Sequence, residues 1–293
     1  MILITGATGT VGSEVVRAVR ERGERVRAFV RDPEKAREML GDGVELAIGD
    51  FADARSVRAA LDGADEVFLS CADDPRRVEW ETSAIAAAAA AGVRRIVKLS
   101  AATAEPGSPV AFWDWHGQVE QHLRASGIAS VILRPSWYMS NLLASAEQVA
   151  GERRLYAPAG GARIAMIDPR DVGAAAAAVL STAAGHDGRT YVLTGPEAIT
   201  FAQVAAELSA ATACGIEFVD VPDEDARQGM IQRGVPDFVA EQVVKAFAML
   251  RQGAAEQVTA TVESLTGSPA RDFAAFARDH AQLFAPVTVG AAR

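Results

Sequence analysis

Three glycines close to the first residue have the spacing of a phosphate-binding turn. Gly6, Gly9 and Gly12 lie between a short apolar run and a helical pattern, which is the context that such a turn requires. The first glycine permits a tight turn, the second lets backbone amides approach a pyrophosphate, and the third lets helix and strand pack closely. The helix N-terminus adds partial positive charge. We therefore predict a dinucleotide site that contains Gly6, Thr8, Gly9, Thr10, Val11 and Gly12.

Charged residues after the second apolar run indicate which dinucleotide binds. A basic residue there pairs with the extra phosphate of NADP, whereas an acidic one binds the ribose hydroxyls of NAD. Arg31 offers a planar fork for a phosphate, and Lys35 adds a second charge from the first turn of the next helix. These two residues predict NADP(H). The alternative is an NAD protein in which Asp32 binds the ribose and Arg31 pairs with Asp32 or solvent.

The elements that would position these residues alternate along the chain. Short β-branched runs at 2–5, 26–30, 44–48, 66–70, 96–100 and 131–133 are separated by helical patterns. Such alternation is typical of a parallel sheet with helices on both faces. We therefore predict a Rossmann-type, doubly wound α/β fold.

The alternation loosens after Pro135. A helical stretch at 139–149 precedes a Gly-Gly segment and an apolar run at 164–167, and a helix at 171–180 with a strand at 191–193 restores the pattern. Beyond Gly195 the chain is mostly helical, with one strand-like run at 216–221. We predict an NADP-binding domain (1–135 and 164–194), a smaller, mostly helical substrate-binding lobe (136–163 and 195–285) and a tail (286–293).

Composition excludes several classes of partner. The net charge is −9 and no block of like charges occurs, which argues against nucleic acid and anionic membranes. Cys71 and Cys214 lie far apart without the spacing of a disulfide framework or a metal site. The start of the chain lacks the features of a signal peptide, and the longest bland apolar run, 84–91, is far short of the roughly 20 residues that span a bilayer. We expect a cytoplasmic monomer or homodimer that binds a small-molecule substrate and no metal.

Further motifs carry a resemblance to a known family. They are Val-Arg-Asp-Pro at 30–33, Gly-Asp-Phe at 49–51, Leu-Arg-Pro-Ser-Trp at 133–137, Asp-Pro-Arg-Asp-Val at 168–172 and Leu-Thr-Gly-Pro at 193–196. With the glycine turn, their order and spacing resemble the NmrA-like atypical short-chain dehydrogenases, which are related to isoflavone-reductase-like enzymes and NADPH quinone reductases. The resemblance covers nearly the whole chain.

The resemblance also implies where the cofactor contacts lie. Asp50 and Phe51 would flank the adenine, and the segment Ser70, Cys71 and Ala72 would run beside the cofactor. Ser136 and Trp137 would lie near the nicotinamide. From the residues alone, Phe51 and Trp137 read equally well as core aromatics, and Cys71 reads as an inert apolar residue because no base is evident beside it.

The family's proton donor is missing. Short-chain dehydrogenases use a tyrosine and, four residues later, a lysine; matching the family's ExxL pattern to residues 120–123 puts Phe112 and His116 at those positions. Ser100 matches the family's serine, which would hydrogen-bond a substrate oxygen. Histidine titrates near neutral pH, so we expect His116 to donate a proton to a substrate oxygen or to polarise it. The alternative is that His116 only contacts the ribose or caps local backbone, and Tyr138 is a second candidate donor.

Aromatic residues concentrate around the expected nicotinamide position. Trp113, Trp115, Trp137 and Tyr138 account for much of the tryptophan and tyrosine of the chain. They predict an aromatic-walled pocket for a planar or hydrophobic substrate, or alternatively a lobe interface packed with aromatics.

We therefore expect an NADPH-dependent oxidoreductase that transfers hydride to a quinone, a conjugated carbonyl or an imine. The missing tyrosine and lysine leave a second reading open, a non-catalytic redox sensor that binds NADP(H). A third reading is an isomerase or cyclase on the same fold.

Overall fold

The computed structural model describes residues 1–182 and 184–286, and the chain forms two compact units. The first unit contains residues 1–135, 169–193 and 260–269. The second contains residues 136–168, 194–259 and those from 270 onward. The predicted domains differ from these units in three places, because 164–168 and residue 194 fall in the second unit and 260–269 falls in the first. All of the predicted tail except residue 286 lies outside the described residues.

The first unit is built on a parallel sheet of seven strands. The strands of the chain are β1 (Ile2–Thr5), β2 (Val26–Val30), β3 (Glu45–Ile48), β4 (Glu66–Leu69), β5 (Arg95–Leu99), β6 (Ala129–Pro135), β7 (Arg154–Ala157), β8 (Thr190–Leu193) and β9 (Glu217–Asp220). The sheet has the order β3-β2-β1-β4-β5-β6-β8, with every pair parallel. The strand order reverses beside β1, which opens a crevice at the carboxyl ends of β1 and β4. The predicted Rossmann-type fold is confirmed.

Helices follow almost every strand. They are α1 (Thr10–Glu21), α2 (Pro33–Leu40), α3 (Ala54–Leu61), α4 (Arg77–Ala90), α5 (Ala111–Ala125), α6 (Ala146–Glu152), α7 (Pro169–Leu180), α8 (Phe201–Thr212), α9 (Asp223–Gln232), α10 (Asp237–Leu250), α11 (Thr261–Thr266), α12 (Phe273–Asp279) and α13 (Ala281–Phe284), with a 3₁₀ helix at Met139–Ser145. In α1 the periodic Val11, Val15 and Val19 are buried, as an amphipathic helix on a sheet requires. The alanine-rich α4 buries Ala84 and Ala88 in a core that also contains residues of α3 and α5. None of the helices formed by the described residues has the length and apolar character needed to cross a membrane.

The second unit has its own core around a pair of parallel strands, β7 and β9. Phe201 on α8 lies at its centre and packs against the rings of Phe218 and Phe247. The apolar run at 164–167, predicted to belong to the Rossmann domain, forms only isolated bridges with Ile199 and Tyr138 in this unit. The prediction for this run was wrong, because a short apolar run does not tell which core will bury it.

Close packing of α1 on α7 places a demand on one residue. A Cβ atom at Gly173 would lie 2.7 Å from the Cβ of Glu14 and 2.8 Å from its backbone carbon. Neither atom can move without shifting α1. The small residues of α7, which is alanine-rich and almost wholly buried, therefore set the distance between the two helices.

We expect Gly173→Ala to lower the free energy of unfolding by about 1–3 kcal/mol, because overpacking forces the backbones apart. Thermal or urea unfolding followed by circular dichroism would measure it. Gly151→Ala is the matched control, since Gly151 lies in α6 with nothing within 4 Å of the added atom, and alanine favours a helix. A Gly173→Ala protein as stable as the Gly151→Ala protein would show that α1 and α7 can separate without loss.

Candidate functional site

The glycine turn connects β1 to α1 beside the end of β4. Gly6 has a φ of +61°, and its carbonyl accepts a hydrogen bond from the Gly9 amide (2.9 Å). A Cβ at Gly12 would lie 2.0 Å from the Gly6 carbonyl oxygen. The Thr5 hydroxyl accepts the Ser70 amide and donates to the Ser70 carbonyl, both at 2.8 Å. The turn is thereby fixed to the end of β4.

The N-terminus of α1 is left open by its own sequence. Gly9 is the N-cap, in extended backbone, and provides no side-chain oxygen for the first amides. A Cβ at Gly9 would meet only the Gly6 carbonyl, at 3.2 Å, so this side of the turn can be approached closely. A helix of 12 residues with uncapped amides and a bare backbone turn fits a pyrophosphate.

Arg31 and Lys35, the residues predicted to bind the extra phosphate, lie on either side of the N-cap of α2. Arg31 follows β2, its side chain is 78 % exposed, and its nearest anion, Asp50, is 4.0 Å away. Asp32 is the N-cap of α2: its Oδ1 accepts the amides of Glu34 and Lys35, both at 3.0 Å. A carboxylate used as a cap is poorly placed to bind ribose hydroxyls. The arrangement therefore favours NADP(H) over the alternative reading based on Asp32.

The two residues expected beside the adenine are both half-buried but make different contacts. Asp50 follows β3, and its Oδ1 accepts the Ala52 amide at 2.8 Å. Phe51 packs edge-on against Phe29, with ring centroids 5.6 Å apart, at the margin of the sheet core. Phe51 thus serves the core, and its contact with the adenine remains a prediction.

The segment after β4 carries Ser70, Cys71 and Ala72. Burial, followed by the charge of Glu81, raises the pKa of Cys71 to about 12. The thiol stays protonated at neutral pH and is a poor nucleophile. This agrees with the interpretation of Cys71 as an inert residue.

His116 is buried on α5 and contacts a lysine. Its Nδ1 lies 3.4 Å from Nζ of Lys98, on β5. Because an ammonium can only donate, Nδ1 accepts, and the ring proton belongs to Nε2. Among residues 1–182 and 184–286 this is the imidazole's sole hydrogen bond, so Nε2–H is left for a ligand.

The protonation of His116 differs from the expectation. Burial, followed by the positive charges of Arg77, Lys98 and Arg134, holds its pKa well below the usual value. The ring is neutral at neutral pH, so it does not titrate there as predicted. The first reason is burial, which disfavours the charged ring, and the second is that the charges acting on the ring are positive. His116 can therefore polarise an oxygen through Nε2–H, but it does not carry a stored proton as an imidazolium.

The Ser100 hydroxyl is hydrogen-bonded to another side chain of the protein. Its hydroxyl donates to Oε1 of Glu120 on α5 at 2.5 Å, and Glu120 also receives two bonds from Arg134 (2.9 and 2.7 Å). Glu120 and Ser100 are both buried. The expected hydrogen bond from Ser100 to a substrate oxygen would compete with this network, and it remains a prediction.

Ser136, Trp137 and Tyr138 belong to the second unit. The buried Ser136 hydroxyl has no partner among the described residues, which leaves it available to a ligand. Trp137 packs edge-on against Phe201 (5.9 Å between centroids), so it is in part a core aromatic. Tyr138 pairs with Ile167 through its backbone.

The aromatic cluster predicted from sequence falls on both units. Trp115 packs against Phe112 on α5, with ring centroids 5.6 Å apart, in the first unit. The two aromatic residues at 137 and 138 lie in the second unit. A shared aromatic pocket remains a prediction.

Sequence reasoning missed the buried charges around His116. These are Lys98 on β5 with Glu81 and Arg77 on α4, all less than 4 % exposed. The signal was present in the run Ile96-Val97-Lys98-Leu99, where a charge interrupts a buried strand. A lysine inside such a strand must find a buried partner.

Comparison with known proteins agrees with this geometry. The NmrA-like family model matches residues 1–274. The chain is 39% identical over 284 residues to an NAD(P)H azoreductase of Xenophilus azovorans (97% of this chain, 99% of the relative). It is 40% identical over 287 residues to (4-alkanoyl-5-oxo-2,5-dihydrofuran-3-yl)methyl phosphate reductase of Streptomyces griseus (98% and 100%).

A solved structure has the same fold over nearly the whole chain. It is an NADPH-dependent quinone oxidoreductase of Escherichia coli complexed with NADPH, with a TM-score of 0.87 and 32% identity over 95% of this chain and 99% of that one. The resemblance inferred from the motifs is confirmed, and this chain belongs to the NmrA-like family.

Proposed function

We propose that this protein is an NADPH-dependent reductase that transfers hydride to a planar or hydrophobic acceptor: a quinone, a conjugated carbonyl or an imine. The observation that carries the proposal is the bare glycine turn at the uncapped N-terminus of α1 with the exposed cation of Arg31 at the end of the neighbouring strand. Two relatives, the NAD(P)H azoreductase and the NADPH-dependent quinone oxidoreductase, align with this chain over 99% of their own length. At the level of class, an NADPH-dependent oxidoreductase, the expectation from the sequence is confirmed.

Different residues of the first unit bind different parts of the cofactor and the acceptor. The amides at the N-terminus of α1 bind the pyrophosphate, while Arg31 and Lys35 pair with the extra phosphate. When bound, NADPH supplies the hydride. His116 donates Nε2–H to the acceptor oxygen on which negative charge develops, which stabilises that charge without prior ionisation of the ring. Ser136 and Tyr138 of the second unit are the other candidate ligand contacts.

The proposal also covers the cellular compartment and the oligomeric state of the protein. Cys71 and Cys214 are both free thiols, and free thiols persist in reducing compartments. We therefore place the protein in the cytoplasm, as a monomer or a homodimer that acts on a small molecule.

We expect NADPH to bind more than tenfold more tightly than NADH, a difference of about 1.4 kcal/mol or more. The guanidinium of Arg31 gains a doubly charged partner only with NADPH. Fluorescence titration of both cofactors would measure the ratio. Arg31→Ala should reduce it toward one, whereas Arg37→Ala, in the last turn of α2, should leave it unchanged. An equal ratio in wild type and Arg31→Ala would remove Arg31 from the site.

Gly9→Val should abolish NADPH binding while the fold survives. The added side chain would occupy the face of the turn that a pyrophosphate approaches, while its Cβ would meet only one protein atom, the Gly6 carbonyl oxygen, at 3.2 Å. Isothermal titration of NADPH together with a circular dichroism melt would separate binding from folding. Gly161→Val, at a glycine with open space around it, is the control. Normal NADPH affinity in Gly9→Val would place the nucleotide elsewhere.

His116→Ala should lower turnover by roughly 10²-fold for quinones and carbonyls, because a donor to the developing oxyanion is lost. The loss should be smaller for a cyclic iminium, whose reduction places no negative charge on oxygen. Stopped-flow oxidation of NADPH with a panel of quinones, enones, ketones and cyclic imines would measure both. His122→Ala, an exposed histidine on the same helix, is the matched control.

Two outcomes would contradict this assignment. A wild-type protein that oxidises NADPH with no member of the panel would favour a redox sensor. Full activity of His116→Ala on a quinone, with unchanged NADPH affinity, would leave Tyr138 or water as the donor.

A further inference from the structure

Lys98 is one of few lysines in the chain, and its side chain is buried. Of the 29 lysine and arginine residues of the chain, three are lysines: Lys35, Lys98 and Lys245. Lys35 is exposed and the side chain of Lys245 is 42% exposed, whereas Lys98 is completely buried. Burial of an ammonium is costly and persists only when the group is paired. Its partners therefore define what it can do.

Three polar groups surround the Lys98 ammonium. Nζ lies 3.1 Å from Oε1 of Glu81, 3.4 Å from Nδ1 of His116, and in hydrogen-bond contact with the carbonyl of Leu99. The carbonyl of Leu99 and Nδ1 of His116 accept hydrogen bonds from it, whereas Glu81 contributes an ion pair. The ammonium is thus a bridge between the one buried anion of α4 and the imidazole of α5.

The charges around this bridge come from several elements. On α4, Arg77 lies 3.3 Å from Oε2 of Glu81 and 2.5 Å from Asp73. The charges of Glu81, Arg77 and Lys98 affect the pKa of Cys71, which follows β4. The positive charge of Arg134 on β6 lowers the pKa of His116. Burial lowers the pKa of Lys98 to about 8, and the charge of Glu81 acts in the opposite direction. Lys98 is therefore charged at neutral pH but can release a proton within reach of physiological conditions.

We propose that Lys98, held by Glu81, is a positioning residue that fixes His116 as its Nε2–H tautomer and resupplies the proton that His116 gives to the reduced acceptor. The tautomer follows from the geometry alone, since Nδ1 faces a donor. The resupply step rests on the proposed function, because it requires a reduced acceptor to protonate.

The step balances in atoms and charge. The acceptor gains a hydride, two electrons and a proton, from NADPH, which leaves one negative charge on its oxygen. The Nε2–H bond of His116 breaks and the proton forms an O–H bond on the acceptor. At Nδ1 the ring gains a proton from Lys98 as an Nζ–H bond breaks, so His116 remains neutral and Lys98 becomes an uncharged amine. After the product leaves, a proton from solvent binds Nε2 and the Nδ1 proton returns to Nζ, so the ring is again Nε2–H and Lys98 is again an ammonium.

The tautomer can be tested without any substrate. The chain has four histidines, so ¹⁵N-histidine NMR spectra of the apo protein are simple to assign with a His116→Ala sample. We expect His116 to be a neutral Nε2–H ring at pH 7, and its Nδ1 signal to move when Lys98 deprotonates near pH 8. In Lys98→Met the Nδ1 signal should shift and the pH response should disappear. A His116 signal that is Nδ1–H, or that is the same in Lys98→Met, would overturn the proposal.

The proton supply is tested by the pH profile of turnover with a quinone at saturating NADPH. Turnover needs the ammonium form, which is present below the pKa of Lys98 and lost above it. Wild-type turnover should therefore fall about tenfold per pH unit above pH 8. Glu81→Gln should move this fall to lower pH, because the anion that raises the pKa of Lys98 is gone. Lys98→Met should have lower turnover, by tenfold or more, and no such fall.

Controls separate this proposal from folding and from the proposed function. Lys245→Met should keep the wild-type profile. If Lys98→Met does not fold, the double variant Lys98→Met with Glu81→Gln removes the leftover buried charge, and Glu81→Gln still tests the shift on its own. An alkaline fall that stays at the same pH in Glu81→Gln overturns the resupply step. A wild-type protein inactive at every pH refutes the proposed function, while the NMR result still decides the pairing of Lys98 with His116.

Discussion

The backbone contact between Gly12 and Gly6 leaves no volume for a side chain, since a Cβ would lie 2.0 Å from the carbonyl oxygen. This contact fixes where α1 begins relative to β1. Because α1 starts on a glycine that provides no cap, its first amides are left for a ligand, and the helix field adds to their attraction for phosphate. The Thr5 hydroxyl extends the same constraint to the end of β4. One short turn thus determines both the shape of the anion site and the strand end beside it.

Buried charge is the second organising feature of the first unit. Glu120 is shared by Ser100, Arg124 and Arg134, while Glu81 is shared by Lys98 and Arg77. Such pairs are costly to bury and rarely add stability over apolar packing. They do fix geometry, because each carboxylate is held from several elements at once. The end of β5 is clamped in this way between α4, α5 and β6, which is where a protein of this fold class must hold its reacting groups.

Local signals made most of the fold readable from sequence. The glycine turn, the period of α1 and the β-branched strands each depend on neighbours along the chain, so their elements were predicted within a residue or two. The apolar run at 164–167 was assigned wrongly because its hydrophobicity fits either core. β7 was missed because Arg154–Ala157 alternates too briefly to stand out. Asp32 was weighed as a ribose ligand, although Asp-Pro-Glu is also a typical start of a helix.

The site was less readable, because its chemistry depends on pairs that are distant in sequence. His116 was identified from the family pattern, but its neutral state follows first from burial and then from cations on three other elements, which no local motif reveals. The role of Lys98 can be inferred only from the fold, which brings Glu81 and His116 into contact with it. Ser100 was expected to face a substrate, and only the structure shows that Glu120 takes its hydroxyl.

The choice of lysine at position 98 has a chemical reason in a chain where arginine dominates. An arginine would pair with Glu81 equally well, but a guanidinium does not release its proton in proteins, so it would only hold the imidazole in place. A neutral imidazole is itself a weak acid, so on its own it stabilises a developing anion more than it protonates one. A reductase built on such a donor suits acceptors whose reduced anions are already stable, as hydroquinone anions are and simple alkoxides are not. The absence of a tyrosine acid at position 112 and the neutral imidazole at position 116 are therefore both compatible with the proposed quinone acceptors.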